Sequence, residues 1–328
     1  MNILITNIGR RGYLVEFIKN TINFNGKVYA SDCDKTASGL YGNVDKSFIL
    51  PKPVDDEQSY VENLLKLCLE YDINLIIPVI DPEIYILSKY KNVFSEKGII
   101  VLVSDKRVLE ICYDKTKMNT FLTENGFNII KTYDNLQDFK NDLFDNKIEF
   151  PVFIKPIYGS GSVDSRIIDN DEELVTFYKP GMIIQEYLNG EEYGIDTFVD
   201  NDGIPVRVVV KKKLSMRSGE TDKAITVKHE DIKNVIKKLA EKLKPFGPFD
   251  TDVIETNNGI YVIDINPRFG GGYPATHMAE VSFIELLLKS ARNESIEPAF
   301  DNYVIGQLTM KDVGIKTVNI EDKRYKEL

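Results

Sequence analysis

The sequence predicts an α/β chain built in two ways: a parallel sheet over roughly the first 105 residues, then an α+β region closed by a β-hairpin. Two observations predict it. Short apolar runs alternate with stretches of helical periodicity up to about residue 105, which is the βαβ signature. Much later, two strand-like runs flank Thr256-Asn257-Asn258-Gly259, a strong hairpin signal. A chain of 328 residues buries a large core and usually makes two or three domains.

In order, Ile3 to Thr6 reads as a strand, Gly9-Arg10-Arg11-Gly12 as a turn and Tyr13 to Asn20 as a helix. Lys27 to Ser31 is a strand ending at Asp32, and Ser59 to Tyr71 has helical periodicity. Leu75 to Val79 is a strand ending at Asp81-Pro82-Glu83, and Ile99 to Val103 is another. In a parallel sheet ligands gather at the carboxyl ends of the strands. Gly9, Arg10, Arg11, Asp32, Asp81 and Glu83 all fall there, although each charge alone reads equally well as a solvated loop residue. Gly-x-x-Gly at residue 9 is too short for a dinucleotide fingerprint.

Pro151 to Pro156 is an apolar strand carrying Lys155, followed by the small residues Gly159, Ser160, Gly161 and Ser162. Such a turn presents N–H groups to phosphate oxygens, and a lysine adds a point charge; a plain hairpin turn is the alternative. The run Lys211-Lys212-Lys213, with Arg217 beyond it, is a solvated face or, on a strand, places Lys211 and Lys213 together toward an anion.

The richest stretch is Asp264-Ile265-Asn266-Pro267-Arg268-Phe269-Gly270-Gly271-Gly272, at the end of the strand Ile260 to Ile263. Alternation puts Asp264 and Asn266 on one side. Carboxylate and amide oxygens suit a hard divalent cation shared with phosphates, and Arg268 two residues on can reach an anion beside it. Gly270, Gly271 and Gly272 let the backbone approach a ligand. The partner strand is Phe249 to Glu255. A three-residue loop, Asn257 to Gly259 with Gly259 left-handed, places Asp252 opposite Asp264; a two-residue loop places Thr251 there instead.

The ordered set of these motifs resembles the ATP-grasp superfamily of ligases, most closely the branch of the carbamoyl phosphate synthase large subunit, over roughly residues 1 to 290. That family shows Gln or Glu on the first hairpin strand and Glu-x-Asn-Pro-Arg on the second; here both acids are Asp, one methylene shorter. The resemblance implies a pre-ATP-grasp domain at 1–105, an ATP-grasp domain at 106–292 with a lid at about 115–185, and a tail at 293–328 of no assigned role. It implies ATP and two Mg²⁺ ions, with Mn²⁺ as a substitute. Asp252, Asp264 and Asn266 would hold metal; Lys115, Lys155 and the loop from Gly159 to Ser162 the phosphates. Gln185, Glu186, Tyr187 and Leu188 would hold adenine and Glu192 the ribose. Arg268, with Lys211 or Lys213, would serve the transferred phosphoryl group. Arg10 and Arg11 would take a carboxylate or phosphate, Asp81 and Glu83 an amine, and Arg217 and the three glycines the substrate end.

The activity implied is carboxylate–amine ligation through an acylphosphate, releasing ADP and phosphate. The alternatives are phosphoryl transfer to bicarbonate or carbamate, and a non-catalytic nucleotide-binding module. A net charge of −10 argues against nucleic acid as a partner, and no apolar run is long enough to span a bilayer. The start lacks the basic region of a signal peptide, and Cys33, Cys68 and Cys112 read as reduced thiols, so the expected setting is cytoplasmic. Only His229 and His277 are present, and no nucleophilic triad can be assembled. Small-molecule partners are expected, and a homodimer is allowed.

Overall fold

A computed structural model of the chain describes residues 1–159 and 164–328. Its first sheet is parallel: β1 (Asn2–Thr6), β2 (Val28–Asp32), β3 (Lys46–Ile49), β4 (Ile73–Pro78) and β5 (Ile100–Val101), in the order β3-β2-β1-β4-β5. The order reverses between β1 and β4, so the crevice of this sheet lies where both strands end. The sequence reading missed β3, a short and half-exposed strand. It also took Asp81-Pro82-Glu83 for a loop, whereas Asp81–Ser95 is a helix with Pro82 in its first turn. Proline is tolerated there because the first helical N–H groups have no partner within the helix.

A small antiparallel sheet follows: β6 (Thr132–Tyr133), β7 (Val152–Pro156), β8 (Arg166–Ile168) and β9 (Met182–Glu186), ordered β6-β9-β7-β8. Phe139, Val152, Ile154, Ile168, Leu174 and Ile184 form its own core.

The largest sheet is antiparallel: β10 (Glu191–Val199), β11 (Pro205–Arg217), β12 (Glu220–Thr226), β13 (Gly247–Thr256), β14 (Gly259–Asn266) and β15 (Leu308–Met310), ordered β14-β13-β10-β11-β12-β15. Its two faces differ. Tyr193, Ile195, Val208, Val210, Phe249 and Val253 pack under the helix Glu230–Leu243. The other face carries Asp250, Asp252, Asp264, Asn266, Asp196, Lys211 and Lys213, by strand alternation and register. Phe198, Val209, Phe269, Tyr273 and Phe283 share one apolar cluster with β1, β2 and β4, which fixes the parallel sheet against this polar face. The tail joins the edge of this sheet through β15, which pairs with β12.

The hairpin corrects the loop argument while keeping its result. Thr256 pairs with Gly259, so the turn has two residues, and Gly259 adopts φ +139° rather than a left-handed helical conformation. A register shift then intervenes: Val253 pairs with Val262, but Asp252 pairs with Asp264, leaving Ile263 as an extra residue. This β-bulge returns Asp252 to the position that a plain two-residue hairpin would give Thr251.

Candidate active site

A cavity of about 760 Å³ opens between the parallel sheet, the small sheet and the polar face of the large one. The hairpin forms one wall. Asp252 and Asp264 face each other across β13 and β14, and Asp250 pairs with Asn266 one step further along. Burial pushes the Asp264 carboxyl up, against the pull of Lys115 and Lys155. Asn266 Nδ2 donates to Asp264 Oδ2 at 3.3 Å. Among the described residues no three His, Cys, Asp or Glu side chains converge to hold a metal by themselves. Two opposed carboxylates plus the Asn266 oxygen instead fit an ion that takes its remaining ligands from phosphate and water.

Three lysines meet this wall. Lys155, on β7, is buried and donates from Nζ to the carbonyl of the bulged Ile263 at 3.1 Å. Burial pulls its ammonium down to about 8; Asp264 opposes that and Lys115 adds to it. Lys115 begins the helix Lys115–Glu124 behind the Asp114 cap and donates to the Gly159 carbonyl at 2.6 Å. Lys213 bonds Asp252 Oδ1 at 2.7 Å, reaching it past Gly194, where an added Cβ would lie 3.2 Å from the lysine Cε. Burial lowers the Lys213 pKa, but Asp252, with Asp250 and Glu192, more than compensates and the net shift is upward. Lys211 takes another role: fully buried, it pairs with Asp196, which also accepts from Thr276. Lys212 points away to Glu191.

Arg268 is held tightly. Its Nε and Nη2 grip Asp81 at 2.6 and 2.9 Å, Nη2 also reaches Asn266 Oδ1 at 3.2 Å, and Nη1 meets the Phe269 carbonyl at 3.2 Å. The salt bridge joins the first turn of helix Asp81–Ser95 to the end of β14, across the cleft. Asp81 therefore serves Arg268 in this structure and is not a free amine acceptor. Glu83, two positions along the helix, is wholly buried, accepting from Asn7 at 2.8 Å and from Tyr60; burial raises its pKa. It is a core carboxyl, absent from the cavity wall, which corrects its reading as a substrate contact.

The remaining expected residues divide. Arg11, Gly159, Glu192, Gly271 and Gly272 line the cavity. Gly270 lies against Asp250, where a Cβ would come within 2.7 Å of the Asp250 Cβ. Arg10 is exposed at its turn and Arg217 pairs with Asp222 at 3.2 Å; neither lines the cavity. Gln185, Glu186, Tyr187 and Leu188 also lie outside the wall: Gln185 is buried on Thr132 at 2.8 Å, and the Glu186 N–H donates to the Lys131 carbonyl. Ser160, Gly161 and Ser162 lie outside the described residues.

Sequence reasoning missed three acids. Asp250 lines the cavity, and burial together with the Asp252 charge pushes it up to about 8. It has the parity of Asp252, so the alternation that found one contained the other. Asp196 and Glu220 carried no local signal; strand pairing and the domain contact bring them in.

Residues 3–102 match the family model of a PylC-like N-terminal domain, and residues 112–272 match that of an ATP-grasp domain. The carbamoyl phosphate synthase large chain of Clostridium botulinum is 25% identical over 221 residues, 61% of this chain and 20% of that one. The 3-methyl-D-ornithine–L-lysine ligase of Methanosarcina acetivorans is 32% identical over 151 residues, 45% of this chain and 40% of that one. The chain thus spans less than half the length of either relative. Among solved structures, the biotin carboxylase domain of 2-oxoglutarate carboxylase from Hydrogenobacter thermophilus, a dimer with MgADP and bicarbonate, superposes with a TM-score of 0.74 at 18% identity, over 94% of this chain and 73% of that one; this shows a shared fold. Two family models end to end, on a chain whose hairpin presents the acids, amide and arginine of the motif, identify it as a member of the ATP-grasp superfamily of ligases, related to the carbamoyl phosphate synthase large chain.

Proposed function

We propose that the protein is an ATP-dependent carboxylate–amine ligase that works through an acylphosphate and releases ADP and phosphate. The observation that carries this is the hairpin wall, where Asp252, Asp264 and Asn266 stand among Lys155, Lys115, Lys213 and Arg268 in one cavity. Acidic oxygens beside buried cations, without a poised nucleophilic side chain among the described residues, suit transfer of a phosphoryl group to a bound substrate.

In this reading Asp252, Asp264 and Asn266 would hold two magnesium ions, or manganese in their place, and the metal would neutralise phosphate charge there. Lys115, Lys155 and the loop from Gly159 take the phosphates, Gln185 to Leu188 the adenine through their backbone, and Glu192 the ribose. Lys213, paired with Asp252 in this structure, would offer its charge to the phosphates beside the metal. Arg268 stabilises the transferred group, with Asp81 fixing its plane. Lys211 supports the floor under Gly272 through Asp196. Residues 1–105 carry the acceptor side, and 106–292 the nucleotide.

The test is phosphate release from ATP and Mg²⁺ over a panel of carboxylates and amines. The ligase reading expects release that depends on one carboxylate. Equal release with every mixture, or with none while ATP binds, refutes it.

A further inference from the structure

Three tyrosines from separate elements stack where the parallel sheet's helices meet the nucleotide side. Tyr85 lies on the helix Asp81–Ser95, Tyr113 ends the helix Lys106–Tyr113, and Tyr158 follows β7. The Tyr85 and Tyr113 rings are 5.6 Å apart and 22° from parallel; those of Tyr113 and Tyr158 are 5.7 Å apart and 25° from parallel. Lys89 closes the far end, with Nζ 5.1 Å from the centre of the Tyr85 ring. Tyr158 is 55% exposed, so its ring is held by stacking more than by burial.

Each end of this ladder is tied to a different part of the active site. At one end Asp114 bridges Tyr158, the Lys115 N–H donates to the Ile157 carbonyl at 3.1 Å, and Lys115 Nζ donates to the Gly159 carbonyl at 2.6 Å. At the other end Tyr85 stands one helical turn past Asp81, on the same face, and Asp81 grips Arg268. Burial raises the Tyr113 hydroxyl pKa and the Asp81 charge adds to it, so that carboxylate lies close to the middle ring. A cavity of about 20 Å³, room for about one water, separates the ladder from the end of β14; Asp81, Tyr85, Cys112, Tyr113, Gly159 and Asn266 are among its walls. Across that gap on the hairpin side, the rings give the start of the helix its direct contact with the Lys115 segment.

We propose that Tyr113 and Tyr85 are positioning residues for Arg268: through them the segment carrying Lys115 and Gly159 fixes the helix whose Asp81 sets the arginine. A nucleotide held by Lys115 and Gly159 is thereby felt at the start of the helix Asp81–Ser95, by a route that bypasses the metal hairpin. The inference rests on the ligase reading for the role of Arg268.

The experiment is amide hydrogen exchange on the full chain, with and without Mg²⁺ and a non-hydrolysable ATP analogue, for wild type, Tyr113→Phe and Tyr113→Leu. The analogue should slow exchange in the helix Asp81–Ser95 by about threefold or more in wild type and in Tyr113→Phe, which keeps the ring, and not in Tyr113→Leu. Tyr113 does not line the nucleotide cavity, so calorimetry should find the three affinities for the analogue within about twofold. In steady-state phosphate release, Tyr113→Leu should lower kcat about tenfold or more at unchanged KM for ATP, and Tyr113→Phe should restore it. Adding Asp81→Asn to Tyr113→Leu should lower kcat little further, since both act through Arg268. Tyr85→Leu should repeat the Tyr113→Leu pattern, and it carries the test if Tyr113→Leu does not fold. No slowing in the wild-type helix, equal slowing in Tyr113→Leu, or kcat losses that multiply with Asp81→Asn would overturn the proposal. Absence of carboxylate-dependent phosphate release from wild type would overturn the ligase reading instead, and the exchange comparison decides the coupling without turnover. Failure of the analogue to bind would overturn both.

Discussion

Lys155 gives the nucleotide assignment a quantitative handle. The residue is 8% exposed, and burial lowers its ammonium from the ordinary 10.5 to about 8. At pH 8.5 only about a quarter of the free protein carries that proton. A phosphate placed beside the ammonium restores its ordinary affinity for the proton, so binding MgATP at pH 8.5 takes up about 0.75 proton, and almost none at pH 6.5. Calorimetry in two buffers of different ionisation enthalpy measures the uptake, with Lys155→Met as the control. The variant should lose more than about half a proton of uptake at pH 8.5 and bind MgATP at least tenfold more weakly at pH 7. Equal uptake in both proteins refutes the assignment. The stability sign follows. The folded pKa is depressed, so the free folded state binds this proton less tightly than the unfolded chain, and the penalty is complete below pH 8. It fades as pH rises from about 8 to 10.5, and Lys155→Met should raise the stability of the nucleotide-free protein at pH 7 by about 1–3 kcal/mol in urea unfolding.

Asp264→Asn should lower turnover by 100-fold or more with the fold retained by circular dichroism, whereas Lys212→Ala should leave turnover unchanged, because Lys212 lies on the opposite face against Glu191. Arg268→Ala should reduce kcat by more than it reduces ATP affinity, since its partner charge develops during transfer; equal losses in steady-state kinetics and calorimetry would count against that role. Glu83→Gln should cost about 1–3 kcal/mol in urea unfolding, through its bonds to Asn7 and Tyr60, and leave the affinity for ATP untouched; a changed affinity with unchanged stability would return Glu83 to the substrate site.

Features that repeat along the chain were legible in the sequence. The βαβ rhythm gave β1, β2 and β4, and alternation gave the shared face of Asp264 and Asn266. The hairpin residues were legible too, but the bulge at Ile263 was not: no local pattern separates an inserted residue from a continuing strand. The bulge matters, since it sets Asp252 against Asp264 while its carbonyl holds Lys155. The Asp81 helix was hidden because Pro82 marks a turn and a helix start equally well. Spacing of two residues suggested one role for Asp81 and Glu83; on a helix it turns them apart, one toward Arg268 and the other into the core. Glu220 and Asp196 depend on contacts between distant segments, which a single sequence does not encode locally.

The most direct test of the central claim follows an oxygen atom. The carboxylate that gives the largest phosphate release is labelled with ¹⁸O and turned over with ATP, Mg²⁺ and hydroxylamine, and the products are read by ³¹P NMR and as hydroxamate. Attack of the carboxylate on the γ-phosphorus predicts ADP, a hydroxamate, and phosphate carrying one labelled oxygen. Label appearing in AMP, with pyrophosphate released, would mean adenylation and contradict the account.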